Sequence, residues 1–272
     1  MQAIELISKR GYSGGVVVDS PHSGRDYPAD FGYTCAFDTL RLAEDLHVDA
    51  LVRPLAASGA DVVIANFPRS YIDVNRARDD FDARLIDGAI DSGSIYVKAG
   101  VGLIHRDVRA GQAIYNRKLT MMEIAPRLTL YDQYYETLLK LMAQPAPLLY
   151  LNVHSMPSAT APCDKAGKPF DIILGNKDGR TASAEVMNWL KTCLSRHGYR
   201  VGCNNRYKGG NLVHHFGSPH IDIHAIQIEI NRALYVDEWS RELTSGVARI
   251  TQALDDIIMQ WRAQTSLPLA AE

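Results

Sequence analysis

Short apolar runs alternate along the chain with longer segments in which apolar residues recur every three or four positions. The short runs predict buried strands, and the longer periodic segments predict helices. The predicted strands cover residues 15–20, 61–66, 71–75, 148–154, 171–176 and 225–231. The predicted helices cover residues 36–57, 115–143, 181–197 and 237–262. This alternation predicts an α/β fold whose mixed, mostly parallel β-sheet is covered by helices on both faces. Because neither a repeat nor a linker interrupts the pattern, we expect a single domain over residues 1–272.

Composition narrows the function classes. Of 272 residues, 46% are hydrophobic and the formal net charge is −2, which excludes general disorder. The near balance of 29 Lys+Arg against 31 Asp+Glu gives no electrostatic reason to expect binding to nucleic acid or a membrane surface. Neither a membrane-length apolar run nor a signal-peptide core is visible, and the four cysteines form no CxxC pair. We therefore expect a cytoplasmic, reduced protein with incidental thiols.

Chemically capable side chains stand at the ends of the predicted strands. His22 and His154 each follow an apolar run, and Asn75-Arg76 ends a third. In open α/β sheets, ligands bind beyond the carboxyl ends of the strands. Two histidines and a carboxylate hold a catalytic zinc ion with one position left for water, and Glu44 and Asp45 are the candidate carboxylates.

Glu229 lies within the apolar segment 225–231. A carboxylate is unfavourable to bury without a partner, so Glu229 has either a cation beside it or a catalytic task as proton acceptor. Each candidate also has a structural interpretation. A strand-end histidine is often only hydrogen-bonded, Glu229 could pair with Arg76 or Arg232, and a helix carboxylate is often solvated.

Six segments resemble one known family when they are taken in order. They are SPHSG (20–24), EDLHVD (44–49), DVNRARDD (73–80), NVHSMPS (152–158), NRYKGGNLVHHFG (205–217) and HAIQIEINRALYVDE (224–238). Together they resemble the N-formylglutamate amidohydrolase (deformylase) family, which is similar to zinc carboxypeptidase-like amidohydrolases. The resemblance implies a zinc carboxypeptidase-like (phosphorylase/hydrolase-like) α/β fold. It also implies hydrolysis of the N-formyl or N-acyl amide of a small acidic amino acid in catabolism, for example N-formyl-L-glutamate to formate and glutamate.

The resemblance also implies roles for single residues. His22 and His154 match the two histidine ligands of one zinc ion, and Asp45 matches the carboxylate ligand, with Glu44 as the alternative. The carboxypeptidases carry their carboxylate three residues after the first histidine, where this chain has Arg25. Glu229 matches the general base. Another divalent transition metal could satisfy the same ligands.

Substrate binding is implied for Asn75 and Arg76, which match a pair that binds a substrate carboxylate. A dianionic substrate needs a second cation, for which Lys208, Arg206, His215 and Arg106 are available. The chain departs from the histidine-degrading members at His214, where they have Arg, and at Asn152, where they have Asp. Two alternatives therefore stay open: a hydrolase of another N-acyl amino acid or small peptide, and a metal-free carboxylate-binding protein.

Overall fold

A computed structural model describes residues 2–8, 15–109 and 111–265. Seven strands form the main sheet in the order β1-β3-β2-β4-β7-β5-β6. Their bounds are β1 (Ile4–Ile7), β2 (Val16–Ser20), β3 (Asp61–Ala65), β4 (Leu148–Met156), β5 (Ile172–Gly175), β6 (Val201–Cys203) and β7 (Ile223–Asn231). Two short strands, β8 (Val236–Asp237) and β9 (Glu242–Leu243), form a separate antiparallel pair.

The main sheet is mixed and mostly parallel. β2 pairs with β4, β4 with β7, and β5 with β6 in parallel, whereas β5 runs antiparallel to β7. Every residue of β2, β3 and β4 is buried, as is typical of strands covered on both faces. The predicted α/β fold class is therefore confirmed.

Seven α-helices accompany the strands in the described part of the chain. Their bounds are α1 (Phe37–Leu40), α2 (Val48–Val52), α3 (Ile95–Lys98), α4 (Met121–Met142), α5 (Ala184–Arg196), α6 (Asn211–Phe216) and α7 (Gly246–Thr265). Helix α5 begins after Ser183, whose hydroxyl accepts a hydrogen bond from the Val186 amide. Among the described residues, no helix combines the length and apolarity that a membrane crossing requires.

Two predicted elements were wrong, and a third, the closing helix, begins later than predicted. The segment 36–57 holds α1, α2 and short 3₁₀ turns. Glu44 is extended (ψ 141°) and His47 takes a left-handed conformation (φ 55°), and together they interrupt a continuous helix. Residues 71–75 form a turn instead of a strand, since the Asp73 carboxylate accepts the Asn75 amide two residues on. Residues 237–245 precede α7 because the Asp237 carboxylate accepts the amides of Trp239 and Ser240 and makes a turn.

The described residues group into two compact units. The first draws them from Met1–Glu5, Pro21–Asp45 and Ile64–Leu139, and the second from Leu6–Ser20, Leu46–Val63 and Lys140–Glu272. The single domain over residues 1–272 stays a prediction. In the second unit, α7 packs against α2 and α5, and α6 packs against β4 and β7.

A buried guanidinium organises the first unit. Arg127 is 1% exposed and donates hydrogen bonds to the carbonyls of Tyr71 and Phe31 and to the Tyr115 hydroxyl. Its guanidinium also lies over the Tyr71 ring, 4.2 Å from the centroid. A buried cation needs such compensation, so this cluster ties α4 to the loops that carry Phe31, Tyr71 and Tyr115.

Candidate active site

His22 follows β2 and is buried. Its Nε2 lies 2.7 Å from Oδ1 of Asp73, and its Nδ1 lies 3.5 Å from Oδ2 of Asp45. Because a carboxylate only accepts, Nε2 carries the proton in the neutral ring and Nδ1 keeps the lone pair. The Asp45 amide donates to the His22 carbonyl at 3.0 Å, which brings the two residues together through the backbone.

Asp73 is the centre of a buried charge network that the sequence interpretation missed. Besides His22, its carboxylate accepts hydrogen bonds from Arg69 Nη2 at 2.8 Å and from His105 Nε2 at 3.1 Å. Burial acts to raise the pKa of Asp73, but Arg76, His22 and Arg69 together hold that pKa well below its ordinary value. Asp73 is therefore ionised and orients His22.

His105 lies on the other side of the same carboxylate and is also buried. Burial is the main reason that its pKa is lowered to about 4, although the hydrogen bond to Asp73 acts to raise it. The ring is therefore neutral at pH 7 and donates its Nε2 proton to Asp73. It completes the shell of donors around Asp73 without adding a positive charge.

His154 lies in β4 and has its tautomer set by a chain of two side chains. Nδ2 of Asn152 donates to Oδ1 of Asp19 at 2.7 Å, and Nε2 of His154 lies 2.8 Å from Oδ1 of Asn152. The carboxylate of Asp19 orients the amide, so the amide oxygen faces the imidazole and Nε2 carries the proton. Nδ1 of His154 then keeps the lone pair, as in His22. A fixed tautomer of this kind is typical of a metal-binding histidine.

Glu229 is the partner of His154 across the parallel β4–β7 pair. Register partners on neighbouring strands point to the same face of a sheet, so the two side chains share a face. Glu229 is buried, and its Oε1 accepts a 2.8 Å hydrogen bond from Nε2 of Gln227. Arg232, a candidate partner of Glu229, donates its Nε proton to the Ser155 hydroxyl.

The structure brings three predicted ligands together. His22, Asp45 and His154 each offer a ligand atom, these atoms all lie within 4.8 Å of one another, and the three side chains are buried. Two imidazole nitrogens and a carboxylate oxygen are a common donor set of catalytic zinc sites, so these residues fit such an ion.

Glu44, the alternative carboxylate ligand, is engaged elsewhere. Its Oε1 accepts hydrogen bonds from the Tyr27 hydroxyl at 2.7 Å and from Arg41 Nε at 3.0 Å. The structure therefore favours Asp45 over Glu44 as the candidate ligand.

Arg76, a predicted substrate-binding residue, is held firmly. Its Nε donates to the Val101 carbonyl at 2.9 Å and its Nη1 to the Asn75 carbonyl at 3.2 Å. Its guanidinium also lies 3.9 Å from the centroid of the Tyr96 ring. These contacts fix the plane of the guanidinium, and the role of Asn75 and Arg76 in substrate binding stays a prediction.

Three of the four predicted second cations donate to partners of their own. Arg206 Nη1 donates to the Thr160 carbonyl at 3.1 Å. Arg106 Nε donates to Asp82 at 3.0 Å, and Lys208 pairs with Asp178 at 2.9 Å on the surface. His215 lies exposed on α6. The structure does not single out any of these four, and their role as the second cation stays a prediction.

A sequence model of the N-formylglutamate amidohydrolase family matches residues 14–236. This chain belongs to that family. Membership confirms the resemblance carried by the six sequence segments.

Relatives of the amidohydrolase family support the same assignment. The chain is 25% identical over 230 residues to the N-formylglutamate deformylase of Pseudomonas aeruginosa, covering 80% of this chain and 82% of that one. It is 26% identical over 233 residues to the enzyme of the same name from Pseudomonas putida, covering 81% and 82%. The crystal structure of N-formylglutamate amidohydrolase from Ralstonia eutropha JMP134 has a TM-score of 0.89 at 33% identity, covering 97% of this chain and 98% of that one.

Proposed function

We propose that this protein is a metal-dependent amidohydrolase that cleaves the N-formyl amide of N-formyl-L-glutamate, releasing formate and glutamate. The observation that carries the proposal is the buried set of ligand atoms from His22, Asp45 and His154, within 4.8 Å of one another. Membership of the amidohydrolase family and the names of its relatives support the substrate class.

The proposed cofactor is one zinc ion held by His22, Asp45 and His154. Asp73 and Asn152 each accept the Nε2 proton of one imidazole, so both rings present Nδ1 to the ion. When bound, zinc supplies Lewis-acid polarisation of the formyl oxygen and lowers the pKa of water near it. The donor set would also accept other divalent transition metals, and ligand type alone does not choose among them.

Glu229 is the proposed general base. Its carboxylate takes a proton from the attacking water, the new C–O bond forms at the formyl carbon, and the same proton passes to the amide nitrogen as the C–N bond breaks. The immediate products are formic acid and the free amine of glutamate, and the acid proton of formic acid then passes to the amine or to solvent, which leaves formate. The position of Glu229 opposite His154 in the β4–β7 register supports this role.

Arg76 is the proposed anchor for one substrate carboxylate. A guanidinium binds a carboxylate through two parallel hydrogen bonds, and a fixed plane reduces the conformational entropy lost on binding. The contacts of Arg76 with Tyr96 and the Val101 carbonyl provide that fixed plane. Lys208, His215 and Arg106 remain the proposed candidates for the second carboxylate.

The decisive experiment measures formate release from N-formyl-L-glutamate by the purified protein. We expect release that a chelator abolishes and added zinc restores, together with about one zinc per chain. His154→Ala should lose zinc and activity together. His224→Ala is its matched control, because His224 is an equally buried histidine of β7 that pairs with Asp222 instead.

Three results would contradict parts of this proposal. Zinc-loaded protein that releases no formate, yet hydrolyses another N-acyl amino acid or a small peptide, would change the substrate. Full zinc occupancy in His154→Ala would remove His154 from the ligand set. A protein that binds carboxylates without zinc and without turnover would be a binding protein.

A further inference from the structure

Residues 204–210, here called the glycine loop, lie against residues 175–178 at the end of β5. The Lys177 amide donates to the Lys208 carbonyl at 2.6 Å. The Asn204 side chain makes two hydrogen bonds to Asn176. Its Oδ1 accepts from the backbone N–H of Asn176 at 3.0 Å, and its Nδ2 donates to Oδ1 of Asn176 at 2.8 Å. Both backbone and side-chain hydrogen bonds therefore hold the glycine loop against residues 175–178.

The contact between the two segments is too close for side chains. A Cβ on Gly175 would lie 2.7 Å from the Gly209 amide nitrogen, so only glycine fits there. Left-handed backbone is also concentrated in these segments, with φ of 50–63° at the non-glycine residues Asn204, Lys177, Asp178 and Arg206. Such conformations are unfavourable, and they persist where surrounding contacts enforce them, often near functional sites.

The glycine loop delivers one backbone amide into the buried sheet face. The Gly210 N–H donates to Oε1 of Gln227 at 2.7 Å, and Nε2 of Gln227 donates to Oε1 of Glu229 at 2.8 Å. A backbone N–H can only donate, so it must face the oxygen of the Gln227 amide. The NH₂ group of Gln227 is therefore directed at Glu229.

We propose that Gln227 is a positioning residue for Glu229, and that the glycine loop acts in catalysis by orienting Gln227 through Gly210. This inference rests on the proposed function, since it assigns Glu229 the role of base. It gives the glycine loop a role in addition to the proposed substrate contact of Lys208.

The physical reason lies in the geometry that a general base needs. One oxygen of Glu229 accepts the hydrogen bond from Nε2 of Gln227, and this bond limits rotation of the carboxylate. Misplacing a catalytic group by about 1 Å can cost about 100-fold in rate. Loss of the donor should therefore lower kcat and leave substrate affinity nearly unchanged.

The test compares three variants of the zinc-loaded protein. Gln227→Met removes both hydrogen bonds at similar volume. Gln227→Glu keeps an acceptor for Gly210 and replaces the donor facing Glu229 with an oxygen. Thr181→Val is the matched control, because the buried Thr181 hydroxyl also donates to β7, at the Ala225 carbonyl, without touching Glu229.

We expect kcat to fall by about 10- to 100-fold in both Gln227 variants, with KM within about threefold of the wild type and zinc content unchanged. Thr181→Val should keep the wild-type kcat. Amide hydrogen exchange adds a readout that does not depend on turnover: the Gly210 amide should exchange faster in Gln227→Met and stay protected in Gln227→Glu.

The possible failures are distinguishable. An active wild type with unchanged kcat in both Gln227 variants overturns this inference and leaves the proposed function intact. A protected Gly210 amide in Gln227→Met overturns the link between the loop and Gln227. A zinc-loaded wild type that hydrolyses no N-acyl substrate overturns the proposed function, and this inference fails with it.

Discussion

Asp73→Asn tests whether a buried carboxylate controls zinc binding through His22. The substitution keeps the shape of the side chain and removes its charge. Asp73 is fully buried, 2.7 Å from His22 Nε2 and 2.8 Å from Arg69 Nη2. Hydrogen bonds to a charged group contribute about 1.5–3 kcal/mol each, against about 1 kcal/mol for neutral ones, and breaking a buried ion pair costs about 3–5 kcal/mol.

We therefore expect Asp73→Asn to lower the free energy of unfolding by about 3 kcal/mol at neutral pH. Removing the hydrogen-bond partner of a metal-binding histidine typically lowers metal affinity by about 10- to 100-fold. Zinc should therefore bind to Asp73→Asn more weakly by about that factor. Urea unfolding of the metal-free protein measures the first effect. Competition with a chromophoric chelator measures the second.

Asp82→Asn is the matched control for this experiment. Asp82 is also a buried carboxylate, and it accepts hydrogen bonds from Arg84 Nε at 2.8 Å and from Arg106 Nε at 3.0 Å. It should change stability and leave zinc affinity at the wild-type value. Wild-type zinc affinity in Asp73→Asn, or an equal loss of affinity in Asp82→Asn, would refute the reasoning.

Three further predictions follow from the same structure. Glu229→Gln should keep its zinc and lose about 100-fold or more in turnover in the formate assay, because the general base is gone; near-normal turnover would exclude Glu229 from the mechanism. The pKa of His105 is about 4 in the folded protein and about 6.5 in the unfolded chain, so between these pH values the unfolded chain binds one more proton. The free energy of unfolding should therefore fall as pH drops from about 6.5 to 4, by up to roughly 3 kcal/mol. His105→Gln should flatten that part of the urea-measured stability profile, and superimposable wild-type and variant profiles would contradict this assignment. Arg127→Met should cost about 3–5 kcal/mol in urea unfolding, because three buried acceptors lose their donor, while zinc affinity stays unchanged; a loss below about 1 kcal/mol would show that the acceptors find other partners.

Apolar periodicity predicted the sheet well because the central strands are buried on both faces and therefore read as continuous apolar runs. It also predicted a strand at 71–75, which was wrong. Apolar positions alone do not show that the Asp73 side chain accepts a hydrogen bond from the Asn75 amide and forms a turn. The continuous helix at 36–57 was wrong because the spacing carries no sign of the left-handed turn at His47.

The candidate site was predictable only in part. His22 and His154 were visible because they end or lie within strands that meet in parallel pairs. Asp73 and His105 were missed because their importance comes from partners 51 and 32 positions away, which local spacing does not reveal. Gln227 left a readable signal. It lies two positions before Glu229 and so on the same face of the strand, and Ile226, Ile228 and Ile230 alternate with the pair on the other face.

The hydrogen bonds that link His154, Asn152 and Asp19 run in one direction, with each donor facing the next acceptor. This order of donors and acceptors couples the evolution of positions 19 and 152. The Asn152 side chain can link the imidazole to the carboxylate because its oxygen accepts from His154 and its NH₂ group donates to Asp19. An aspartate at position 152 would set two carboxylates against each other and require a donor in place of Asp19. Positions 19 and 152 should therefore change as a pair between members of this family, and an exchange at either one alone should be deleterious until the other follows.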